Sequence, residues 1–519
     1  MQTKIQNPVL TGFNPDPSIL HAKGKFYIAT STFEYYPGVQ IFESEDLANW
    51  KVVARPITDK MEDRRGITQG GGVWAPCLTF DGELFYLVYS RVVSWSVEPF
   101  KDVENFVITA KEIDGEWSEP TYLNSDGFDC SLYHEGDKSY YVGVCWDFRK
   151  PVGAPQFSGI LCWEYDRATR SLVGEPVNIF KGTDRGLVEA PHIYKVGEYY
   201  YLFTAEGGTN VEHAETVARS KNIFGPYELH PNKHLISSYK TDNPLQKAGH
   251  GSICQDEFGN WYFAHLCGRK IFGGNCVLGR ETSIQNLVFK DGWPYLAHGG
   301  SEPRSFFYSP YGVQKREDKG GVIPFNDYTL KNVYCSLRAP LGDRIKVLSE
   351  RSVELTGGET PVSTQLQTSL LVRQQDAAFT ASVKLDFKPE KFTHVAGLTY
   401  RYDEGDQYLL YVSYDEIAKK NALYLLRYER RAFAVVPLNV FVGDTVYLKV
   451  KADTDGGRFY YSEDGKNYTA VGEPLDVTCL SDEGAYPMGF TGAFVGIYAG
   501  DYSARKKTAV FSDFTYEKQ

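Results

Sequence analysis

Five segments in the first three hundred residues repeat one pattern, and this periodicity limits the fold more than any other feature of the chain. They begin at Asp16 (DPSILHAKGKFYIATS), Ala75 (APCLTFDGELFYLVYS), Asp129 (DCSLYHEGDKSYYVGVCW), Glu189 (EAPHIYKVGEYYYLFTAEG) and His250 (HGSICQDEFGNWYFAHLCG), at intervals of 59, 54, 60 and 61 residues. Each opens on a polar or small residue and crosses a short apolar stretch. It then turns at a glycine (Gly24, Gly82, Gly136, Gly197 or Gly259) and continues into an aromatic strand. Strand, glycine turn and strand together make a β-hairpin. Further short β-like runs lie between the hairpins, marked by DLANW (46–50), DGEWSEP (114–120) and GPYELHP (225–231). Four strands in each repeat of this length describe a propeller blade. The expectation is therefore an all-β chain whose first domain, 1–310, is a five-bladed β-propeller.

In a propeller the first strand of every blade lines the axis, so the opening residues gather at one mouth. Asp16, Asp129 and Glu189 become neighbours, with His250 beside them and Trp74 flanking the opening of the second blade. Acids at strand starts also cap turns or hold metal ions. Three carboxyl groups brought together, however, repel one another and resist desolvation, which favours a chemical use.

From Pro303 to Asn332 the pattern dissolves into Gly, Pro and charge, so 311–332 is expected to be a linker. Period-two alternation returns beyond it, in TSLLVRQQDAAFTASVKLDF, HVAGLTYRYDEGDQYLLYVSYDE and TVYLKVKAD. Residues 333–519 are expected to form an antiparallel, concanavalin-like β-sandwich.

Composition narrows the function. A net charge of −11 argues against nucleic acid, whose binders need a basic face. There is no apolar run of membrane-spanning length, and the N-terminus lacks a secretory leader, so a cytoplasmic protein with no membrane partner is expected. The nine cysteines form no C-x-x-C pair and are expected to be reduced, buried thiols. Aromatic residues make up 15% of the chain, which suits strands and also sugar-stacking surfaces.

Two carboxyl groups on opposite sides of a glycosidic bond can hydrolyse it, one as acid and one as base through water. A third acid near the donor raises its pKa and keeps it protonated. These residue types alone leave open which acid takes which part.

The runs NPVLTGFNPDPSIL, GGGVWAPCL, NSDGFDCSLY, FKGTDRGLVEAPHIYK, TAEGGT, QKAGHGSI and LGRETSIQ resemble β-xylosidases of glycoside hydrolase family 43 along the whole chain. The resemblance implies an inverting enzyme releasing xylose from the non-reducing end of xylo-oligosaccharides, with α-L-arabinofuranosidase or bifunctional activity as the alternative. A non-catalytic carbohydrate-binding propeller is the remote one. It makes Asp16 the base, Glu189 the acid and Asp129 the group that tunes the acid. Arg280 and His250 would bind substrate, while Phe33, Trp74, Trp146 and the sandwich residue Phe494 would wall the sugar pocket. No cofactor is required and no metal ligand is assigned; a Ca or Mg ion sits on the axis in some such enzymes, though no ligand set here demands one, and the resemblance implies a homo-oligomer (dimer or tetramer). Cys130 and Ala190 depart from the family's commoner Pro and Gly after the acids.

Overall fold

A computed structural model describes every residue except 1–2, 62, 96–99, 151–155, 313–318 and 487. Five four-stranded antiparallel sheets follow one another in chain order. Their innermost strands are Ser18–Ala22, Gly72–Phe80, Ser131–Glu135, Glu189–Val196 and Gln246–Gln255, and each sheet runs outward as a meander. Apolar side chains fill the gap between each pair of neighbouring blades. Between blades two and three, for example, Cys77, Tyr86 and Val88 meet Cys130, Leu132 and Trp163.

The five turn glycines all have positive φ, from 55° to 103°. At Gly24, Gly82, Gly136 and Gly197 an added Cβ would meet nothing within 4 Å, so backbone conformation, not crowding, selects glycine there.

The pairing corrects the repeat at one point. Leu20 faces Tyr27, Thr79 faces Tyr86 and Tyr133 faces Tyr140, and the matching pair in blade four is Tyr194 with Tyr201. Ala190, not Glu189, is thus the counterpart of Asp16, Ala75, Asp129 and His250. Those five residues share left-handed backbone, with φ of 56°, 23°, 54°, 53° and 49° in chain order. Asp and His tolerate that region better than most side chains, and strain of about 1–3 kcal/mol per residue is concentrated at functional sites. Glu189 sits one place earlier, in the position that Trp74 and Phe128 hold in blades two and three.

The ring is closed by the N-terminal segment. Thr3–Gln6 pairs with Phe306–Ser309, the backbone of Val9 and Leu10 donates to Thr282 of blade five, and Asn14 donates to the Arg280 carbonyl. Blade one is thereby stitched to blade five immediately before Asp16.

The C-terminal domain packs an eight-stranded sheet against a six-stranded one around a continuous apolar core. Part of the expected linker 311–332 belongs to it: Gly320–Val322 pairs with the last strand, Thr508–Lys518, and Asp327–Asn332 is a capped helical turn. Residues 313–318 lie outside the described part. A long-range pairing partner leaves no local trace in a Gly-rich run, which is why the sequence pattern fails there. Among the described residues no helix is long and apolar enough to cross a membrane. All nine cysteines are unpaired, and eight are buried.

The two domains share a tight seam. Ser336–Leu337 pairs with Tyr35–Tyr36 of blade one, and Arg338 donates from its backbone N–H to the Glu34 carbonyl and from Nε to the Ile67 carbonyl. On the other side, Lys247 of blade five reaches Asp482 and Glu483 in the sandwich loop that precedes Phe494–Asp501.

Candidate active site

Asp16, Asp129 and Glu189 converge at one end of the propeller axis, as the repeat requires. Asp16 is 3% exposed and fully engaged. Its Oδ1 accepts from Arg280 Nη1 at 2.8 Å and its Oδ2 accepts from Ser31 Oγ at 2.6 Å. The Nδ1 of His250 stands 3.5 Å from Oδ1. Burial pushes this carboxyl up, but Arg280, His250, Ser31 and His213 outweigh it and hold the group below its ordinary range. Asp16 is therefore a stable anion.

Glu189 has the opposite environment. Its Oε1 is buried without a hydrogen-bond partner, and His213 Nδ1 lies 3.9 Å away. Burial and the charge of Asp16 raise its pKa to about 7, against the smaller pull of Arg280 and Lys101. Asp129 is raised well above its usual range by burial, then by Glu189 and Asp16. Its Oδ2 accepts from the backbone N–H of Ala190 at 3.2 Å, so the third acid braces the peptide that carries Glu189. Two carboxyls that favour the proton facing one that does not is the division acid–base chemistry needs.

Arg280 links the acids to the wall. Besides Asp16 it donates from Nη2 to the Phe490 carbonyl at 2.9 Å, and its guanidinium lies 5.3 Å over the Phe33 ring. Phe33, itself left-handed at φ 52°, stacks on Phe490 at 5.9 Å and leans on Trp74 at 5.6 Å. The Trp74 indole donates to the Gly70 carbonyl at 2.9 Å, and Phe128 bridges Trp74 to Trp146.

Phe494 does not join this wall. It is fully buried and stacks on Tyr35 at 3.8 Å within the seam. The sandwich residue that meets Phe33 and Trp74 is Phe490, four places earlier on the loop. That loop is held to blade five: Cys276 N–H donates to Glu483, Asn275 Nδ2 donates to Thr478 and Ser481, and Ala493 N–H donates to Val277. Gly279 lets it approach, since a Cβ there would stand 2.2 Å from the Thr491 carbonyl oxygen.

Several site residues escaped the sequence reading. Phe128 was legible in principle, because it precedes its blade's opening residue as Trp74 does. Ser31 closes the first repeat segment as Ser90 closes the second, whereas His213, Trp95 and Lys101 carry no repeat signal. The Lys101 ammonium lies 4.7 Å over the Trp146 ring, and burial lowers its pKa while Glu189 opposes that shift.

Ligand atoms of Glu189, His213 and His250 all lie within 4.8 Å of one another. Ca and Mg ions take six or more oxygen ligands, or near-octahedral oxygen with several waters. Of these three residues only Glu189 offers oxygen, so an axial Ca or Mg ion would draw most of its shell from water, beside the positive charge that Arg280 already brings to Asp16.

Comparison with known proteins agrees with this architecture. Residues 5–294 match the sequence profile of glycosyl hydrolases family 43, and residues 323–517 match that of the beta xylosidase C-terminal concanavalin A-like domain. The chain is 40% identical to the beta-xylosidase of Bacillus subtilis (strain 168), covering 99% of this chain and 100% of that protein. It is 42% identical to the xylosidase/arabinosidase 43B of Humicola insolens, over 99% of this chain and 97% of the other. Among solved structures it is similar to the xylan beta-1,4-xylosidase from Bacillus halodurans C-125, with a TM-score of 0.93, 40% identity, and coverage of 99% and 100% of the two chains.

Proposed function

Because the chain belongs to family 43 of the glycosyl hydrolases, we propose that it is an inverting, exo-acting β-1,4-xylosidase that removes xylose from the non-reducing end of xylo-oligosaccharides. One observation carries the mechanism: Asp16 is held as an anion by Arg280 and Ser31 while Glu189, without a partner for Oε1, holds its proton to about pH 7.

Asp16 takes a proton from water, whose oxygen attacks the anomeric carbon of the terminal sugar. Glu189 gives its proton to the glycosidic oxygen as that bond breaks, and the shortened chain departs with its new hydroxyl. His250 faces Asp16 with one ring nitrogen and brings a ligand atom within 4.8 Å of one on Glu189. Burial and the charge of Asp16 keep Glu189 protonated, and Asp129 steadies the Ala190 peptide beside it. Arg280, Phe33, Trp74 and Phe490 orient the ring of the bound sugar, and Phe128 extends this wall to Trp146.

This reading includes a cytoplasmic enzyme that acts as a homo-oligomer, requires no cofactor and finishes short oligosaccharides. Arabinofuranosidase side activity is the second reading, supported by the similarity to the xylosidase/arabinosidase 43B of Humicola insolens. Incubation with nitrophenyl β-xyloside and xylobiose tests the proposal, with early-time NMR of the liberated xylose. Release of α-xylose is expected. Folded protein that turns over neither substrate, or that releases β-xylose first, overturns it.

A further inference from the structure

We propose that Cys335, held between the guanidinium groups of Arg55 and Arg373 at the seam of the two domains, is a modification site at which a hydroperoxide oxidises the thiolate to sulfinate. No part of this rests on the hydrolytic reaction.

The cluster joins both halves of the chain. Arg55 follows the blade-one strand Lys51–Ala54, Arg373 ends the sandwich strand Thr368–Arg373, and the backbone of Cys335 exchanges two hydrogen bonds with Leu371 of that strand. Arg55 donates from Nη2 to the sulfur at 3.4 Å, and Arg373 donates from Nη1 at 3.3 Å. All three residues are more than nine-tenths buried. Among the described residues neither arginine meets a carboxylate. Arg55 otherwise donates to the Tyr334 and Pro37 carbonyls, and Arg373 to that of Phe13. Two buried cations need an anion, and the thiol is the group in place to supply it. Burial pushes this thiol up, but the charges of Arg55 and Arg373 and their hydrogen bonds outweigh it and hold it below the ordinary thiol range. Burial raises all the other cysteines instead. The thiolate is the reactive form, so Cys335 stands apart from the rest.

A second observation points to what the site receives. Arg55 Nε and Arg373 Nη2 are buried with no hydrogen-bond partner. Both belong to guanidiniums already turned to the sulfur, so oxygens added there supply the acceptors these N–H groups lack. A recess of about 560 Å³ between propeller and sandwich, lined by Arg55, Tyr334, Cys335 and Leu370 among others, brings a small hydroperoxide to the thiol. The sulfur attacks one peroxide oxygen, an S–O bond forms and the O–O bond breaks. The departing hydroxide takes the hydrogen left on the new oxygen, giving sulfenate and water. Sulfur has lost two electrons and the peroxide has gained them. A second peroxide repeats the step and leaves sulfinate, still an anion between two cations.

The test treats the reduced full chain with limiting hydrogen peroxide and maps each cysteine by peptide mass. Cys335 is expected to gain one and then two oxygen atoms before any other cysteine, including Cys145, the one that is not fully buried. The ultraviolet difference between wild type and Cys335→Ser should show a thiolate band at neutral pH that vanishes on unfolding. Arg373→Met should slow oxidation of Cys335 by about 10-fold or more. Arg373→Lys, which keeps the charge, should recover part of that loss. First oxidation at Cys145, equal oxidation of all the buried thiols, or no thiolate band overturns the proposal, and so does an unchanged rate in folded Arg373→Met. The mass map needs only the unaltered chain, so it decides even if the variants fail to fold.

Discussion

Arg280 donates to Asp16 Oδ1 across 2.8 Å with both side chains almost wholly buried, so the base owes its charge to a residue 264 positions away in another blade. Arg280→Ala should lower kcat/KM on xylobiose by about 100-fold or more and move the acid limb of its pH profile upward, toward the ordinary aspartate range. Arg280→Lys should recover only part, because an ammonium cannot serve both Asp16 and the Phe490 carbonyl with the geometry of a fork. An unmoved acid limb in both variants would contradict this link.

The wild-type profile of kcat/KM should be bell-shaped. Asp16 must be charged, so activity appears as pH rises through its lowered pKa. Glu189 must be protonated, so activity declines as pH rises through about 7. A descending limb well above pH 8 would assign the proton donor elsewhere.

Removing the donor should separate substrates by leaving group. Glu189→Gln should cost about 100–10,000-fold on xylobiose and far less on a dinitrophenyl xyloside, whose leaving group needs no proton. Stability should move the other way. The pKa of Glu189 rises from 4.5 to about 7 on folding, so its contribution is full below about pH 4.5 and is lost as pH climbs through 7. The Tm of the glutamine variant should therefore gain on the wild type between pH 5 and pH 8, measured by calorimetry.

Two phenylalanines four residues apart should behave differently. Phe494→Ala opens a cavity against Tyr35 and Phe13 and should destabilise by about 3–5 kcal/mol, seen as a large fall in Tm. Phe490→Ala should change Tm less and raise KM for xylobiose, because its ring faces Phe33 and Trp74. Equal effects on both readouts would erase the distinction.

Ala190 offers a check on the corrected blade register. At φ 53° a Cβ is strained, so Ala190→Gly should be neutral or stabilising by about 1 kcal/mol, the reverse of its usual effect inside a strand. Ala190→Val should destabilise and disturb Glu189. Denaturant unfolding of both variants measures this.

The hairpins were legible because their turns demand positive φ and glycine meets that demand wherever it recurs. Asp16, Asp129 and His250 were legible for a related reason: each occupies a left-handed position that tolerates its side chain. Glu189 was found one step out of phase, since in blade four the left-handed residue is alanine and the acid precedes it. The exchange of Phe490 for Phe494 has another cause. A loop that crosses between domains shows no periodicity, and only the hydrogen bonds to Cys276, Val277 and Arg280 decide which aromatic meets Phe33. His213 and Lys101 gave no signal because their neighbours come from other strands and loops.

The loop that carries Phe490 makes the sandwich part of the propeller's aromatic wall. A propeller freed of its C-terminal domain would keep all three acids, yet lose the ring that faces Phe33 and Trp74 and the carbonyl to which Arg280 donates. The second domain is thus tied to the chemistry as well as to the fold, and the two halves of the chain must be inherited together.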